Sequence, residues 1–462
     1  MKQHLSSVLV AALSATFGVG LLQVTGLLGA QIQANDRTGS SHFVTVVLGA
    51  VAIVFIVIAV YVGAIVTANT FATIVAGRAR SIALLRLLGS SARSLRRAIA
   101  REGLLVGLAG ALIGAIVGTA MAFGLETLAE GTGLFPHDVA YGYLQPVLAA
   151  PVAVVVLTTW LASWIGSRRV LTVTPLQALG GSEELTREEA VRKPGRNRTA
   201  LGLGIAGTAV LVLAVLLGLV TPLAVLIGVV GGVLSFSGLI LGADVIMPPA
   251  LRIVGRWFGR SAPARLAAEN ALRHPQRSAR ATIGVVIGVT LVTMFGVAVA
   301  SFTQLIHAAQ AAQPEVYQGT EQVLNGVTAV FSILTGFSAL IAAVGLVNNL
   351  SLSVLQRIRE LGLLRALGFS VRQLRRMILT ESAQLTITAV LLGLILGTCY
   401  GWVGAQSLLG AISGGPGIVL PAVPWLIVGI IVIAAAALTA IASWAPSRRA
   451  TRVSPVTALA VE

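Results

Sequence analysis

Long apolar stretches recur along the whole chain and constrain its fold more than any other feature of the sequence. Each is 18 or more residues long, which is enough for a helix to cross a hydrocarbon core of about 30 Å. Hydrophobic residues make up 56% of the chain and charged residues only 10%. Because a soluble domain carries about 25% charged residues, the sequence predicts an all-α polytopic membrane protein.

The apolar stretches predict ten transmembrane helices. Their approximate bounds are 1–30, 42–68, 102–125, 144–165, 200–220, 221–246, 281–305, 323–350, 378–408 and 421–444. A cleaved signal peptide is the alternative for the first span, but its apolar region would be unusually long. Of the 32 lysines and arginines, 31 fall on one side of this topology and only Arg37 on the other. The positive-inside rule therefore predicts that both termini are cytoplasmic.

The chain also contains an internal duplication. Residues 78–102 and 357–381 are identical at 14 of 25 positions, with an offset of 279 residues. Farther along, Ser167–Leu179 parallels Ser447–Leu459 with an offset of 280. The duplication predicts two four-helix repeats joined by a cytoplasmic linker, a two-helix hairpin and an interfacial helix. The expected bounds of the first repeat, the joining region and the second repeat are 1–180, 181–262 and 263–462.

The clearest part of the duplication is a short amphipathic helix at 78–89 and again at 357–368. Apolar residues recur at every third position, and arginines occupy much of the rest. Gly89 and Gly368 stand where each helix is expected to end, at the C′ position. Two interpretations are open. Each stretch is either a basic helix lying on the bilayer surface or a docking helix, displayed twice, for a two-fold symmetric partner.

Two further sets of residues correspond between the halves. Glu102 and Glu381 stand where a span leaves the cytoplasmic segment, either as a polar hinge that pairs with arginines or as partly solvated carboxylates. The second set is glycines spaced four residues apart, which let helices approach closely in lipid. These predicted packing positions are Gly114 and Gly118 in the first half, and Gly393 and Gly397 in the second.

The sequence contains no constellation typical of catalysis or metal binding. Neither of its two lysines, Lys2 and Lys193, stands in a Gly-Lys-Ser/Thr context, so the chain has no P-loop. The five histidines are scattered, and Cys399 lies alone in an apolar run. We therefore expect no enzyme activity, no cofactor and no metal in this chain. The cytoplasmic arginines explain the net charge of +16 without nucleic acid.

These motifs resemble those of the FtsX/MacB-like permease family, the membrane subunits of one class of ABC transporter. The resemblance rests on Arg357-x-Arg-Glu-Leu-Gly-Leu-Leu-Arg-Ala-Leu-Gly368, on Arg372-x-x-Leu-Arg-Arg376 with Glu381, and on Arg448-Arg-x-x-x-Val-x-Pro455. It covers residues 263–462 well and residues 42–180 more loosely. A ten-span chain with two FtsX-like repeats is similar to the single-chain members, in which one permease is thought to serve two ATPase subunits.

The resemblance implies that the duplicated stretch is a coupling helix that fits a groove on a separate ATPase. The positions implied are Arg78, Arg80, Ile82, Leu85, Arg86, Leu88 and Gly89 in the first copy, and Arg357, Arg359, Glu360, Leu361, Leu364, Arg365, Leu367 and Gly368 in the second. ATP and Mg would bind to the ATPase, which is expected at two copies per chain. The membrane would be the bacterial cytoplasmic membrane. Ser81 and Ala83 replace the Glu360 and Gly362 of the second copy, which predicts an altered contact.

Three functions are consistent with this pattern. The favoured one is a permease subunit that uses ATP hydrolysis by its partner to export or extract a hydrophobic or amphiphilic molecule. The alternatives are a non-transporting subunit that signals to an extracellular or sensor partner, and a secondary carrier. The expected outer loops at 31–41 and 306–322 leave little surface for an outer partner. The spans lack the acidic pairs of an ion-coupled carrier.

Overall fold

The computed structural model describes residues 5–34, 49–65 without 52 and 59, 68, 84–85, 88–131, 142–167 without 144, 194–258, 269, 275–315, five positions between 328 and 339, and 367–452. Within these residues the protein is all-helical. The helices are α1 (Leu5–Ala34), α2 (Ala92–Gly131), α3 (Ala149–Gly166), α4 (Pro194–Gly218), α5 (Ala224–Leu241), α6 (Ala243–Trp257), α7 (Pro275–Ala312), α8 (Val371–Leu409) and α9 (Trp425–Arg452). A helical segment, Gly49–Ile65, lies between α1 and α2.

Several of these helices are long and apolar enough to cross a membrane. In the described part of the chain six qualify: Ala92–Leu128, Pro146–Ile165, Gly195–Gly218, Ala224–Leu241, Thr282–Ala312 and Val371–Leu409. Shorter apolar helices occupy Ala11–Leu27, Gly49–Ile65 and Trp425–Ile441. The protein is therefore a multi-pass helical membrane protein. Most of the expected span at 323–350 lies outside the described residues.

Close contact between α1 and α2 organises the first repeat. A Cβ added to Gly110 would lie 2.5 Å from the Cβ of Ala11, and one added to Gly114 would lie 2.5 Å from the carbonyl oxygen of Ala12. A Cβ added to Gly118 would lie 3.0 Å from the carbonyl oxygen of Thr16. Glycine at these positions lets the two backbones approach closely, because packing rather than hydrophobicity holds helices together in lipid.

The second repeat repeats this arrangement with α7 and α8. A Cβ added to Gly393 would lie 2.7 Å from the Cβ of Val289, and one added to Gly397 would lie 2.5 Å from the Cβ of Thr293. Helix α7 is the centre of the described structure. In its segment Thr282–Ala312, 72% of the most apolar window is buried, against 39% or less in the other five long segments. Helix α7 therefore faces protein on most sides.

The hairpin of α4 and α5 packs through glycines as well. Added Cβ atoms at Gly231 and Gly238 would lie 2.8 Å and 2.6 Å from the backbone nitrogens of Leu211 and Gly204. At the base of the hairpin, Arg196 at the start of α4 forms an ion pair of 2.7 Å with Asp244 at the start of α6. The hairpin is thus fixed to the helix that follows it.

The helix boundaries differ from the sequence prediction in the joining region. The sequence predicts a span that reaches residue 246 and a separate interfacial helix at 251–260, after Pro248 and Pro249. Instead, Gly242 ends α5, and α6 runs through both prolines from Ala243 to Trp257. Met247, Leu251 and Val254 are buried on one face of α6. This packing compensates for the backbone hydrogen bonds that the prolines cannot donate.

Helices α2, α8 and α9 also extend beyond their expected spans. Helices α2 and α8 begin at residues 92 and 371 rather than 102 and 378, so the arginines of this region lie on helices. Helix α9 continues to Arg452 rather than ending near 444. The spans were predicted from hydrophobicity, which ends where the arginines begin, whereas caps and backbone hydrogen bonds set the ends of the helices.

Candidate functional site: two duplicated turns and an apolar cavity

The first duplicated stretch ends in a glycine turn. The backbone N–H of Leu88 donates to the carbonyl of Leu84 at 3.0 Å, and that of Ser90 donates to the carbonyl of Leu85 at 3.0 Å. Gly89 has a φ of 94°, a conformation that costs any residue with a Cβ about 1–2 kcal/mol. The bond from the residue after the glycine back across five residues is that of a Schellman motif. A helix therefore ends at this glycine, at the C′ position that the sequence indicates.

At the corresponding place in the second duplicated stretch, Gly368 has the same left-handed conformation, with a φ of 96°. The residue before each glycine is a leucine that projects from the protein. Leu88 is 84% exposed and Leu367 is 71% exposed. Leu85 is 44% exposed. The remaining predicted coupling residues lie outside the described residues: Arg78, Arg80, Ile82, Arg86, Arg357, Arg359, Glu360, Leu361, Leu364 and Arg365.

A serine cap follows each glycine turn and starts a long helix. Ser370 caps α8: its hydroxyl accepts from the N–H of Gln373 at 3.2 Å, and the Gln373 side chain accepts from the N–H of Ser370 at 2.9 Å. This reciprocal pair is a capping box. Ser91 caps α2, and its hydroxyl accepts from the N–H of Ser94 at 3.1 Å. We call residues 88–91 and 367–370 the docking turns.

Each docking turn leads directly into the helix that carries the packing glycines. Gly114 and Gly118 lie on α2 against α1, and Gly393 and Gly397 lie on α8 against α7. Glu102 and Glu381 occupy equivalent places near the start of these helices, where both are half-buried and engaged with neighbouring groups. Their role as a polar hinge stays a prediction. Because each docking turn adjoins the helix that carries the packing glycines, a displacement of the turn would also move that helix.

Sequence reasoning missed the role of Arg96, which connects the start of α2 to the end of α3. Its guanidinium carbon lies 4.9 Å from the centre of the Trp164 ring, and its Nε donates to the hydroxyl of Ser167 at 3.4 Å. A cation stacked on an indole contributes about 0.5–1 kcal/mol at an exposed site. The signal was present, because Arg96 belongs to the repeated positions and Ser167 begins the second repeated motif.

An apolar cavity lies among several of the long helices. Its volume is about 160 Å³, and its walls come from the Gly49–Ile65 segment, α4, α5, α7 and α8. The described lining residues include no charged side chain. Three lining residues carry hydroxyls, namely Tyr61, Thr290 and Tyr400. Sequence reasoning could not find this cavity, because its walls are brought together from distant parts of the chain.

The described part of the chain shows no group of three or more His, Cys, Asp or Glu side chains that could hold a metal ion. Cys399 is a free, exposed thiol on α8. The two surfaces with features of a binding site are therefore the docking turns, which expose leucine beside basic helix starts, and the apolar cavity. Neither offers a nucleophile paired with a base.

Comparison with known proteins assigns both halves of the chain to the same family. The family model described as the FtsX-like permease C-terminal domain matches residues 53–175 and again residues 332–455, which is more than half of the chain. The two matches are separated by the same offset as the duplicated motifs. The repeat is therefore one family domain present twice.

Three relatives named as permeases match a part of the chain. An uncharacterized ABC transporter permease, YknZ of Bacillus subtilis strain 168, is 28% identical over 148 residues, 32% of this chain and 35% of that protein. The macrolide export ATP-binding/permease protein MacB of Rhodopirellula baltica is 30% identical over 148 residues, 32% of this chain and 20% of that protein. The ABC transporter permease YtrF of B. subtilis is 30% identical over 129 residues, 26% of this chain and 30% of that protein.

Each match thus spans about a third or less of the relative's own length. The two regions that match the family model, 53–175 and 332–455, contain the docking turns, the capped helix starts and the packing glycines. With two copies of that domain in one polypeptide, the chain belongs to the FtsX-like permease family.

Proposed function

We propose that this chain is a permease subunit of an ABC transporter, with ten spans and both termini on the cytoplasmic side of a bacterial plasma membrane. The observation that carries the proposal is the duplicated docking turn. In each copy a leucine projects beside a glycine in the left-handed conformation, immediately before a serine-capped helix. An exposed leucine beside basic residues suits a groove on a soluble partner as well as a membrane surface.

Two turns with the same structural features favour a partner with two equivalent grooves. An ATPase dimer has that symmetry, so we propose one ATPase subunit for each turn, with ATP and Mg bound there. The chain itself would hydrolyse no nucleotide, since it carries no P-loop lysine. The mechanism we propose uses the capped starts of α2 and α8. Because each turn adjoins the start of a long helix, movement of the partner at a turn would shift that helix.

The substrate we propose is a hydrophobic or amphiphilic molecule, which the permease exports or extracts from the membrane. The apolar cavity supports this class, because its described lining carries no charge. A strongly polar or charged substrate would lose its hydration there without gaining a partner, at a cost of several kcal/mol. The signalling alternative has no comparable observation in its favour.

The test is purification of the tagged full-length chain from its native membrane, with mass spectrometry of the proteins that accompany it. We expect a P-loop ATPase at two copies per permease. A double variant, Leu88→Asp with Leu367→Asp, should lose that ATPase, because a carboxylate on each turn cannot enter an apolar groove without desolvation. The matched control is Leu88→Met with Leu367→Met, which keeps both side chains apolar and should retain the ATPase.

Two outcomes would overturn the proposal. One is a preparation without any ATPase, which would favour two interfacial helices and a secondary carrier. The other is full retention of the ATPase by the aspartate variant, which would move the docking site elsewhere. An outer protein that binds only in the ATP-bound state would replace the transport proposal with the signalling alternative.

A further inference from the structure

The loop between α8 and α9, at the end of α8 opposite the docking turn, has an unusual composition. We call residues 410–424 the apolar loop. Ser413 is its only residue with a polar side chain, and the chain carries no charged residue between Glu381 and Arg448. The expected outer loops at 31–41 and 306–322 each contain charged residues. Because loops in water are normally polar, the composition of the apolar loop indicates a different environment.

The apolar loop folds back along the last turns of α8 and does not simply project beyond the end of the helix. The side chain of Gln406, which is fully buried, donates to the carbonyl of Gly417 at 2.7 Å and accepts from the N–H of Val419 at 3.2 Å. The indole N–H of Trp402 donates to the carbonyl of Val419 at 2.6 Å. Val419 therefore lies beside the last turns of α8.

The end of the loop that precedes α9 is held by α7. The N–H of Ala422 donates to the buried hydroxyl of Ser301 at 3.2 Å. Three other positions of the loop have no backbone N–H that needs a partner, namely Pro416, Pro421 and Pro424. A backbone polar group without a partner is costly in contact with lipid. Buried side chains and prolines reduce that cost for the apolar loop.

The hydrogen bonds to Val419 also determine which side chains of the loop face the protein. The Val419 side chain packs against a buried cluster that includes Leu305 and Leu408. Its two neighbours project away from the protein, because Ile418 is 56% exposed and Leu420 is 84% exposed. The loop therefore holds two large apolar side chains against its surroundings.

The start of α9 shows where these side chains lie relative to a bilayer. Trp425 and Leu426 begin α9 and are 78% and 79% exposed. From Trp425 to Trp444 the helix rises about 28 Å at about 1.5 Å per residue, close to a hydrocarbon thickness of about 30 Å. Tryptophan is enriched at both boundaries of the hydrocarbon core. Trp425 therefore marks the boundary in the leaflet opposite the docking turns, and the apolar loop ends immediately before it.

We propose that the apolar loop lies at the boundary between headgroups and acyl chains in that leaflet, with Ile418 and Leu420 inserted among the acyl chains. Apolar side chains of interfacial segments reach about 5–10 Å into this boundary. The exposed side chains continue onto Trp425 and Leu426, so a bilayer that covers the start of α9 covers them too. A site for a protein would have a polar rim, which the composition of the loop does not provide. The inference goes beyond the proposed function and does not depend on it.

The experiment uses the full-length chain in phosphatidylcholine nanodiscs, with Cys399→Ala to remove the natural thiol. Leu420→Cys then carries an environment-sensitive fluorophore. We expect a blue-shifted emission that is quenched by doxyl-labelled lipid and protected from iodide, as for the same label at Leu426→Cys. The reference for water is Glu315→Cys, because Glu315 is exposed and follows α7 at the same end of the molecule. Its label should be quenched by iodide and not by the lipid.

A second variant tests whether the hydrogen bonds hold the loop in place. In the labelled Leu420→Cys chain, Gln406→Leu removes both side-chain bonds to the loop backbone. The ratio of inserted to water-exposed loop should fall about tenfold or more for two lost hydrogen bonds, and iodide quenching should rise. The matched control is Ser407→Ala, whose hydroxyl donates to the carbonyl of Gly404 within α8 at 3.2 Å. It should leave the quenching unchanged.

Iodide quenching at Leu420 as strong as at Glu315, without quenching by the lipid, would place the loop in water and overturn the proposal. The exposed leucine would then be a contact for an outer protein. Unchanged quenching in Gln406→Leu would overturn the role of the two hydrogen bonds. Because neither measurement involves an ATPase, a failure here leaves the proposed function standing, and a preparation without an ATPase leaves this proposal standing.

Discussion

In each repeat a row of glycines on one helix packs against a second helix, and we call this contact the glycine seam. The side chains opposite the glycines differ between the repeats. In the first repeat Gly114 of α2 faces Ala15 of α1, and Gly118 lies beside Val19. In the second the glycines of α8 face Val289 and Thr293 of α7, which are β-branched. Helix α7 also lines the apolar cavity. The comparison shows that the glycines set the place where two helices meet. The side chains of the opposite helix can still differ between the repeats.

Of the two corresponding glycine positions, the one with the closer contact also differs between the repeats. In the first repeat a Cβ added to Gly114 would lie 2.5 Å from a backbone oxygen, whereas one added to Gly118 would meet its nearest atoms at 3.0 Å. In the second repeat the order is reversed. A Cβ added to Gly393 would lie 2.7 Å from a side chain, whereas one added to Gly397 would lie 2.5 Å from a side-chain carbon and 2.7 Å from a backbone oxygen.

This reversal gives the largest expected effect. Gly114→Ala and Gly397→Ala should each lower the free energy of unfolding by about 2–3 kcal/mol, because backbone atoms have to move apart. Gly118→Ala and Gly393→Ala should each cost about 1 kcal/mol. Denaturant unfolding in detergent micelles, followed by circular dichroism, measures all four. If the same repeat position is the costlier one in both halves, the geometric reversal has no energetic counterpart.

The docking turns should behave alike, in contrast to the seam. Gly89→Ala and Gly368→Ala each force a residue with a Cβ to a φ near 95°, where the cost is about 1–2 kcal/mol. At either position an added Cβ meets no atom of the described residues within 4 Å, so the strain lies in the backbone. The same unfolding measurement should give equal losses for the two variants, and the open helical control Gly429→Ala should show none.

A difference of more than about 1 kcal/mol between the two glycine variants would contradict this equivalence. It would show that the first turn, with Ser81 and Ala83 upstream, is held differently from the second. Co-purification of the ATPase by the same variants would then show whether that difference extends to the partner.

Removal of the helix caps should give the smallest effect, and the loss of stability should again differ between the two repeats. Ser370→Ala removes a capping box, and Ser91→Ala removes a single side-chain bond to the Ser94 N–H. Each should cost about 1 kcal/mol, with the loss at Ser370 larger by some tenths. Hydrogen exchange of the first turns of α2 and α8 measures this locally. Gln373→Ala should reduce the protection of α8 to that of α2, and an unchanged rate would mean that the capping box adds nothing.

Much of the fold follows from the sequence because its signals are local. A φ-positive glycine, a serine three residues before its hydrogen-bond partner, and glycines four residues apart each depend on a few neighbouring residues. The sequence therefore predicts the glycines at 89 and 368 and the packing glycines of α2 and α8. It did not predict the serine caps, and hydrophobicity placed the starts of both helices at 102 and 378 rather than at 92 and 371. The repeat strengthens this inference, because the same pattern occurs twice.

The features that escaped prediction depend on contacts between distant segments. Pro248 and Pro249 indicate a break by local rules, yet α6 continues because Met247 and Leu251 are buried against the core. The stacking of Arg96 on Trp164 and the cavity beside Thr290 require helices far apart in sequence to meet. Hydrophobicity marks such helices as apolar but does not say which faces oppose one another.

Helix α8 is one continuous helix that extends from a docking turn to the apolar cavity. It contains 39 residues, and at a rise of about 1.5 Å per residue it is about 58 Å long. Its first residue adjoins the docking turn, and Tyr400 and Gly404 near its far end line the cavity. A tilt of about 5° about the turn would move the far end by about 5 Å, which is roughly one helical turn. A small rotation of α8 at the turn would therefore be enough, through leverage alone, to open or close a space of molecular size.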